Sequence, residues 1–545
     1  TQATVSTAQQ LAGRFRVAPT KVKCVTHFMG GGFGSKFGPD VQGMTAADLA
    51  RRAGAAVKLM LNREEEITTA GNRPSAYGKV KIAGNKDGSI TAFEIDCYGT
   101  PGSTGGATVN LGLLPYVYLD AVPNYKRAHS IAFINAGGAR AMRAPGHPQN
   151  CVLTESAVED LAGKLGIDPL IVRRKNLPPN DEKVKAKDPV AWLGRRNDVY
   201  NEQLDIAVKL SGWKEKWHPP GKGPGTTLKH GIGMALHTWG GFASAQPNEC
   251  TVIISRDGSV TAETSTQDLG TAQRTVSAIV VAEILGLMPT DIITKIGESQ
   301  FGPSSGSGGS TTCPSQAPAA LLASQAALDD LFKKVAPRVQ ADAADLAIEP
   351  GKVVDTKNKK EWAWKEFCAR LGMDEAKGKG LWSQALSQQP ENANISSGQV
   401  GGAQTAEVLV DTETGVVRVT HFVAVQDCGL IVNKLACESQ VAGGVIMGLN
   451  YAIFEECIRD RVTGRQVNPD MEFYKLGGIR DMPRITVHMM DMPDRGVIGI
   501  GEPPTISTAA AIGNAVFNAL GVRVPFMPLT PKHVLDAIGK GGKAK

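Results

Sequence analysis

Glu502 sits in Gly499-Ile500-Gly501-Glu502-Pro503-Pro504-Thr505, between glycines and a Pro-Pro pair. Proline fixes φ and glycine permits close approach, so the carboxylate is aimed from a stiff, narrow turn. That is how a general base is held toward a reacting proton. Four further glycine-rich segments carry donors. Gly30-Gly31-Gly32-Phe33-Gly34-Ser35-Lys36 is not a Walker loop, because no Gly-Lys-Ser/Thr closes it; it also misses G-x-G-x-x-G, because Ser35 stands where the last Gly belongs. Arg140-Ala141-Met142-Arg143-Ala144-Pro145-Gly146-His147-Pro148-Gln149 places two guanidinium groups in a tight turn beside a helix start, a combination that attracts anions. Gln267-Asp268-Leu269-Gly270-Thr271-Ala272-Gln273 and Gly306-Ser307-Gly308-Gly309-Ser310-Thr311-Thr312 each run into a helix, the second dense in the N–H and hydroxyl donors that a phosphate or pterin needs. Taken singly, each segment also reads as an ordinary turn, salt-bridged loop or linker.

The elements that must position these segments read as a mixed α+β fold. β-like runs at Val22 to Phe28, Ala56 to Leu61, Gly78 to Ile82 and Ser89 to Tyr98 predict strands, the last two joined by a hairpin at Asn85-Lys86-Asp87-Gly88. Asp40 to Ala53 and Thr154 to Leu165 predict helices. Residues 178–228, rich in Pro, Lys and Gly, read as a connection between two halves. Beyond it the pattern predicts strands around 249–265, helices around 272–287 and 316–335, strands over 404–426 turning at Asp411 to Gly415, and helices at 434–457 and 507–520. Residues 336–397, polar and less patterned, read as a surface excursion.

The chain has 545 residues, more than one ordinary core accommodates, so two domains are expected. At 42% hydrophobic and 21% charged it is globular rather than disordered. Its formal charge of +6 is scattered, which excludes a phosphate-binding stripe for nucleic acid. No apolar run reaches the roughly 18 residues of a membrane helix. The nine cysteines form no C-x-x-C, so neither a zinc knuckle nor an iron–sulfur loop is encoded; they are expected to be buried, reduced thiols.

In this order, the five segments resemble the molybdenum-cofactor-binding subunit of the xanthine dehydrogenase/aldehyde oxidase family, and among its branches the bacterial aldehyde oxidoreductases. The likeness runs from Thr1 to about Asp536 and includes Gly398-Gln399, Glu438 to Gly444, and the ending Leu520 to Pro531. It implies two elongated molybdopterin-binding domains, 1–205 and 206–545, without the N-terminal domain usual in the family. It implies a molybdenum ion held by the dithiolene of a pterin rather than by protein side chains, so that no residue is a metal ligand. By this resemblance Glu502 is the catalytic base. Gln2 corresponds to a glutamine bonded to the metal's oxo group, Gly32, Phe33 and Gly34 to the loop whose backbone approaches the metal, and Arg143 to an arginine beside it. Gln440 corresponds to a pterin contact, Gly270 and Thr271 to a cofactor loop in which many relatives have Gly-Gln, Ser310, Thr311 and Thr312 to the wrapping segment, and Gly501 to the base's own turn.

The departures from the family narrow the substrate. Purine-oxidising members place a Glu directly after the loop Lys and an Arg upstream of the Arg143 turn; this chain has Phe37 and, by equal spacing, Leu111. A purine would lose its matching hydrogen bonds. Carbon monoxide dehydrogenases carry a Cys three residues before the active-site Arg, where Arg140 stands. A pocket of Phe37, Leu111, Pro145, Trp239 and Phe242 suits an aldehyde or a poorly polar heteroaromatic. The alternatives are an N-heterocycle or xanthine-type dehydrogenase on the same scaffold, and a non-catalytic assembly subunit. The resemblance further implies a pterin in its cytosine dinucleotide form, an Fe–S subunit with [2Fe–2S] clusters, an FAD subunit, and a chain supplying the N-terminal part of the large subunit. Cytoplasm and periplasm both remain open.

Overall fold

The structure is a computed structural model and describes residues 1–104, 118, 122–177, 197–392 and 394–541. Fourteen strands among them form four sheets. The first sheet holds β1 (Ser75–Gly84), β2 (Ile90–Thr100) and β3 (Asn124–Ile131). β1 and β2 are the predicted hairpin, closed by Asn85 N donating to Ser89 O. Helix His147–Leu165 covers one face, with Leu161 against Gly84 and Leu153 against Gly78.

The second half is built on two four-stranded sheets. One runs β14 (Arg484–Met490), β13 (Val417–Asp427), β12 (Val400–Asp411) and β4 (Leu228–Trp239). The other runs β11 (Ala376–Trp382), β5 (Asn248–Ile254), β6 (Val260–Thr264) and β7 (Ile292–Ile296). The small sheet runs β10 (Lys360–Ala363), β9 (Lys352–Asp355) and β8 (Leu346–Glu349). Each large sheet carries one alanine-rich helix pressed directly onto glycine positions. Helix Thr508–Leu520 lies so close to β4 that a Cβ on Gly233 would stand 2.1 Å from Ala515 N. Helix Thr312–Val339 lies on β11, where a Cβ on Gly380 would stand 2.1 Å from Ala319 O. Such separations leave no room for any other residue.

Helix Asp40–Ala53 has the predicted bounds, and the later strands and helices fall where the pattern placed them. Several expectations fail. Val22 to Phe28 and Ala56 to Leu61 are not strands: the first has a single bridge, Val25 to Glu298, and the second has no ladder partner. Residues 336–397 are no surface excursion, since β11 is the strand on which the long helix packs and Phe367, Leu371 and Trp382 are core. Of the expected connection, 178–196 lies outside the described residues, whereas Asn197–Ser211 is a helix that buries Leu204 and Ala207. All nine cysteines are free, but Cys457 is exposed and Cys24, Cys313 and Cys437 are only partly buried.

Candidate active site

Four of the motif segments end at helix N-termini: Gly146 before His147–Leu165, Ala272 before Gln273–Leu285, Thr311 before Thr312–Val339, and Ser507 before Thr508–Leu520. None of these cap residues closes its helix with a side-chain bond. The first sheet backs His147–Leu165 and the two large sheets back the other helices, and the loops at their N-termini are brought together.

Hydrogen bonds join all five segments. The Arg143 amide N–H donates to Phe33 O at 2.7 Å; its Nε donates to Gly501 O at 2.7 Å and its Nη2 to Gln440 O at 2.8 Å. Gln440 Nε2 reaches Gly270 O at 3.1 Å. Ser310 Oγ accepts from Glu502 N at 2.9 Å. Gln2 is buried; its Oε1 accepts from Gly34 N at 3.1 Å and Lys36 N at 3.2 Å, and its Nε2 donates to Ser307 O at 2.7 Å. Gln2 therefore clamps the first loop to the fourth and retains one amide hydrogen. Gly34 has φ +109°, and a Cβ there would stand 2.6 Å from Ala141 O, so only glycine lets this loop lie on the Arg143 turn. Arg140 is occupied with Ser35 O at 3.0 Å and Asp40 Oδ2 at 2.8 Å.

The two oxygens of Glu502 differ. Oε1 accepts from Ala144 N at 3.2 Å, while Oε2 is buried and finds no hydrogen-bond partner among the described residues. Burial pushes the carboxyl above its ordinary value, against the opposing pull of the Ala144 N–H, of Arg143 and Arg73, and of the nearby Gly309 N–H, which lies outside hydrogen-bond geometry with Oε2. Burial also lowers the Arg143 guanidinium to about 10. Thr271 Oγ1, Gln273 Oε1, Ser265 Oγ and Thr266 Oγ1 are likewise buried without partners, on the segment that leads into Gln273–Leu285. Buried polar atoms are seldom left unpaired, so a concentration of them beside open helix N-termini fits a polar, anionic ligand. Gly270 stands over open space, with nothing within 4 Å of a Cβ placed there.

A cavity of about 300 Å³ opens beside the cluster, lined by His147, Trp239, Phe242, Gly309, Thr311 and Gln384, among others. Trp239 Nε1 donates to Gly309 O at 3.0 Å, and its ring lies 4.3 Å from that of His147. Pro145 adjoins through its carbonyl, 2.9 Å from His147 Nδ1. Phe242 lies against Gly398, and Phe37 against Gly306 and Gly308. Leu111 lies outside the described residues. A larger hollow, about 560 Å³, lies over β1–β3 and includes none of the motif residues.

Two residues at the site have no role assigned by sequence: His147, although it stands in the Arg140–Gln149 segment, and Arg73, outside the motif segments. His147 is held neutral by burial, its pKa lowered to about 4. Arg73 donates from Nη2 to Arg143 O at 2.9 Å and leaves Nη1 buried without a partner among the described residues.

Models of a molybdopterin cofactor-binding domain match residues 1–177 and 206–483. The chain is 30% identical over 538 residues to the aldehyde oxidoreductase molybdenum-binding subunit PaoC of Escherichia coli K12, covering 97% of this chain and 70% of that protein. It is 27% identical to the putative xanthine dehydrogenase molybdenum-binding subunit XdhA of the same organism, covering 96% and 70%. In fold it is similar to quinoline 2-oxidoreductase from Pseudomonas putida 86, with a TM-score of 0.81 at 21% identity, over 99% of this chain and 72% of that one.

Proposed function

The chain belongs to the molybdenum hydroxylase family as a molybdenum-cofactor-binding subunit, and from that premise we propose that it oxidises an aldehyde to the carboxylic acid, or hydroxylates a weakly polar heteroaromatic, with Glu502 as the base. The observation that carries this reading is Glu502 Oε2, a buried, unpaired carboxylate oxygen at the centre of the joined loops.

When bound, the pterin-held molybdenum supplies the two-electron oxidation and the oxygen that reaches the substrate. The cofactor-holding residues are Gln2, Gly32, Phe33, Gly34, Arg143, Gly270, Thr271, Ser310, Thr311, Thr312, Gln440 and Gly501. Glu502, with Oε1 fixed by the Ala144 N–H, takes up a proton at Oε2. Its burial makes it a stronger base than an exposed carboxylate. Arg143 fixes the turn of the base through Gly501 O. Trp239 and Phe242 offer an apolar surface in the cavity, where His147 adds no charge, while Pro145 adjoins it through His147 and the part-exposed Phe37 lies apart, against Gly306 and Gly308. An aldehyde and water give the acid, two protons and two electrons. The electrons pass to [2Fe–2S] clusters on a partner subunit, with an FAD subunit beyond it. The pterin is taken as the cytosine dinucleotide, and the cofactor-binding domains as 1–205 and 206–545. Among the described residues no helix is long and apolar enough to cross a membrane.

The test is joint molybdenum and iron analysis of the natively isolated complex, followed by turnover with aldehydes and with purines. About one molybdenum per chain, iron on partner chains and turnover of aldehydes ahead of purines is the expected result. A complex without molybdenum, or one that prefers purines, would overturn the reading.

A further inference from the structure

The N–H that holds Glu502 Oε1 and the carbonyl that Arg73 grips belong to one peptide unit. Arg73 Nη2 donates to Arg143 O at 2.9 Å, and Ala144 N, across the same amide, donates to Glu502 Oε1 at 3.2 Å. A cation on a carbonyl oxygen withdraws electron density through the amide and makes its N–H a stronger donor, and such chains polarise one another most where the dielectric is low. We propose that Arg73 is a positioning residue for the Glu502 base, acting through the Arg143–Ala144 peptide to hold its ionised carboxylate in place.

The inference rests on the assignment of Glu502 as the base. The guanidinium is itself held: it lies 5.4 Å over the ring of Tyr451, whose hydroxyl donates to Thr505 O, three residues from Glu502. Glu455, Tyr474, His147 and the Arg143 guanidinium also face Arg73. Glu455 accepts from the Tyr474 hydroxyl at 2.9 Å and is faced in turn by Arg63. Arg143 and Arg73 are the charged side chains that pull most on Glu502. Arg143 already donates to Gly501 O and Gln440 O, so the relay through the peptide falls to Arg73.

The relay predicts that removing the cation weakens the ionised carboxylate. In Arg73→Met the acid limb of kcat/KM moves up by about one pH unit, a tenfold loss of activity on that limb. The infrared titration of the Glu502 carboxyl, identified as the band missing from Glu502→Gln, moves by the same amount, even in cofactor-free protein. Arg73→Lys restores most of both shifts. Should Arg73→Met fail to fold, Arg73→Gln removes the charge while keeping an amide donor, and the same upward shift is expected. An unmoved carboxyl band in a folded variant with normal molybdenum content overturns the relay and leaves the base assignment standing. Wild-type turnover by Glu502→Gln overturns the base assignment and, with it, the catalytic part of this inference.

Discussion

Glu502 has one oxygen held by a backbone N–H and one left buried and bare. A base must be ionised to accept a proton, and burial raises its pKa above the ordinary carboxylate value. The kcat/KM profile is therefore expected to fall as pH drops through a value above 4.5, which a pH–rate profile checks. Ser310 sets the turn through its hydroxyl. Ser310→Ala leaves the Glu502 N–H without its acceptor, costing about 1–3 kcal/mol; a lower thermal midpoint, read by scanning calorimetry, is the expected outcome. Glu502, Arg143 and Gln440 were legible in the sequence because each stands in a short segment with its own pattern. The parts of Arg73 and His147 were not: Arg73 acts on a carbonyl 70 residues away, and His147, though in the same segment as Arg143, gains its meaning from the Trp239 ring.

Helices with apolar periodicity and turns with Gly, Asn or Asp could be read at once, and their bounds hold within a few residues, except that the helix expected from Thr154 begins at His147. Strand β4 could not, because Leu228 to Trp239 is almost continuously buried and is broken by Gly231 and Gly233, which look like turn residues. Those glycines are there for the helix above them. Conversely, Val22 to Phe28 has strand-like composition but no partner ladder, and pairing rather than composition makes a strand. The loop–turn contact at Gly34 gives the sharpest prediction at this scale. Gly34→Ala would impose both an unfavourable φ and a clash with Ala141 O, at about 1–3 kcal/mol, which parts the first loop from the Arg143 turn. Molybdenum content should fall well before the folded fraction does, by metal analysis beside circular dichroism.

Across the whole molecule, the site draws on Gln2 near one end of the chain and Glu502 near the other, so it exists only when the two large sheets and their helices are together. Within one of those sheets His237, on β4, ties the sheet to its helix: its Nδ1 is 2.8 Å from Ser507 Oγ and its Nε2 3.0 Å from Gln426 Oε1. Burial lowers its pKa from 6.5 to about 4. The folded state thus resists a proton that the unfolded chain accepts. Stability is full above about pH 6.5 and is lost as pH falls toward 4, by roughly 3 kcal/mol. Urea denaturation between those pH values checks this, and His237→Asn should flatten the slope. Catalysis requires Glu502 to act as a base within an intact cofactor site. The most direct test is molybdenum content and aldehyde turnover measured together on Glu502→Gln. The account predicts wild-type molybdenum with turnover reduced by about 10²–10⁴-fold; wild-type turnover with molybdenum bound would contradict it.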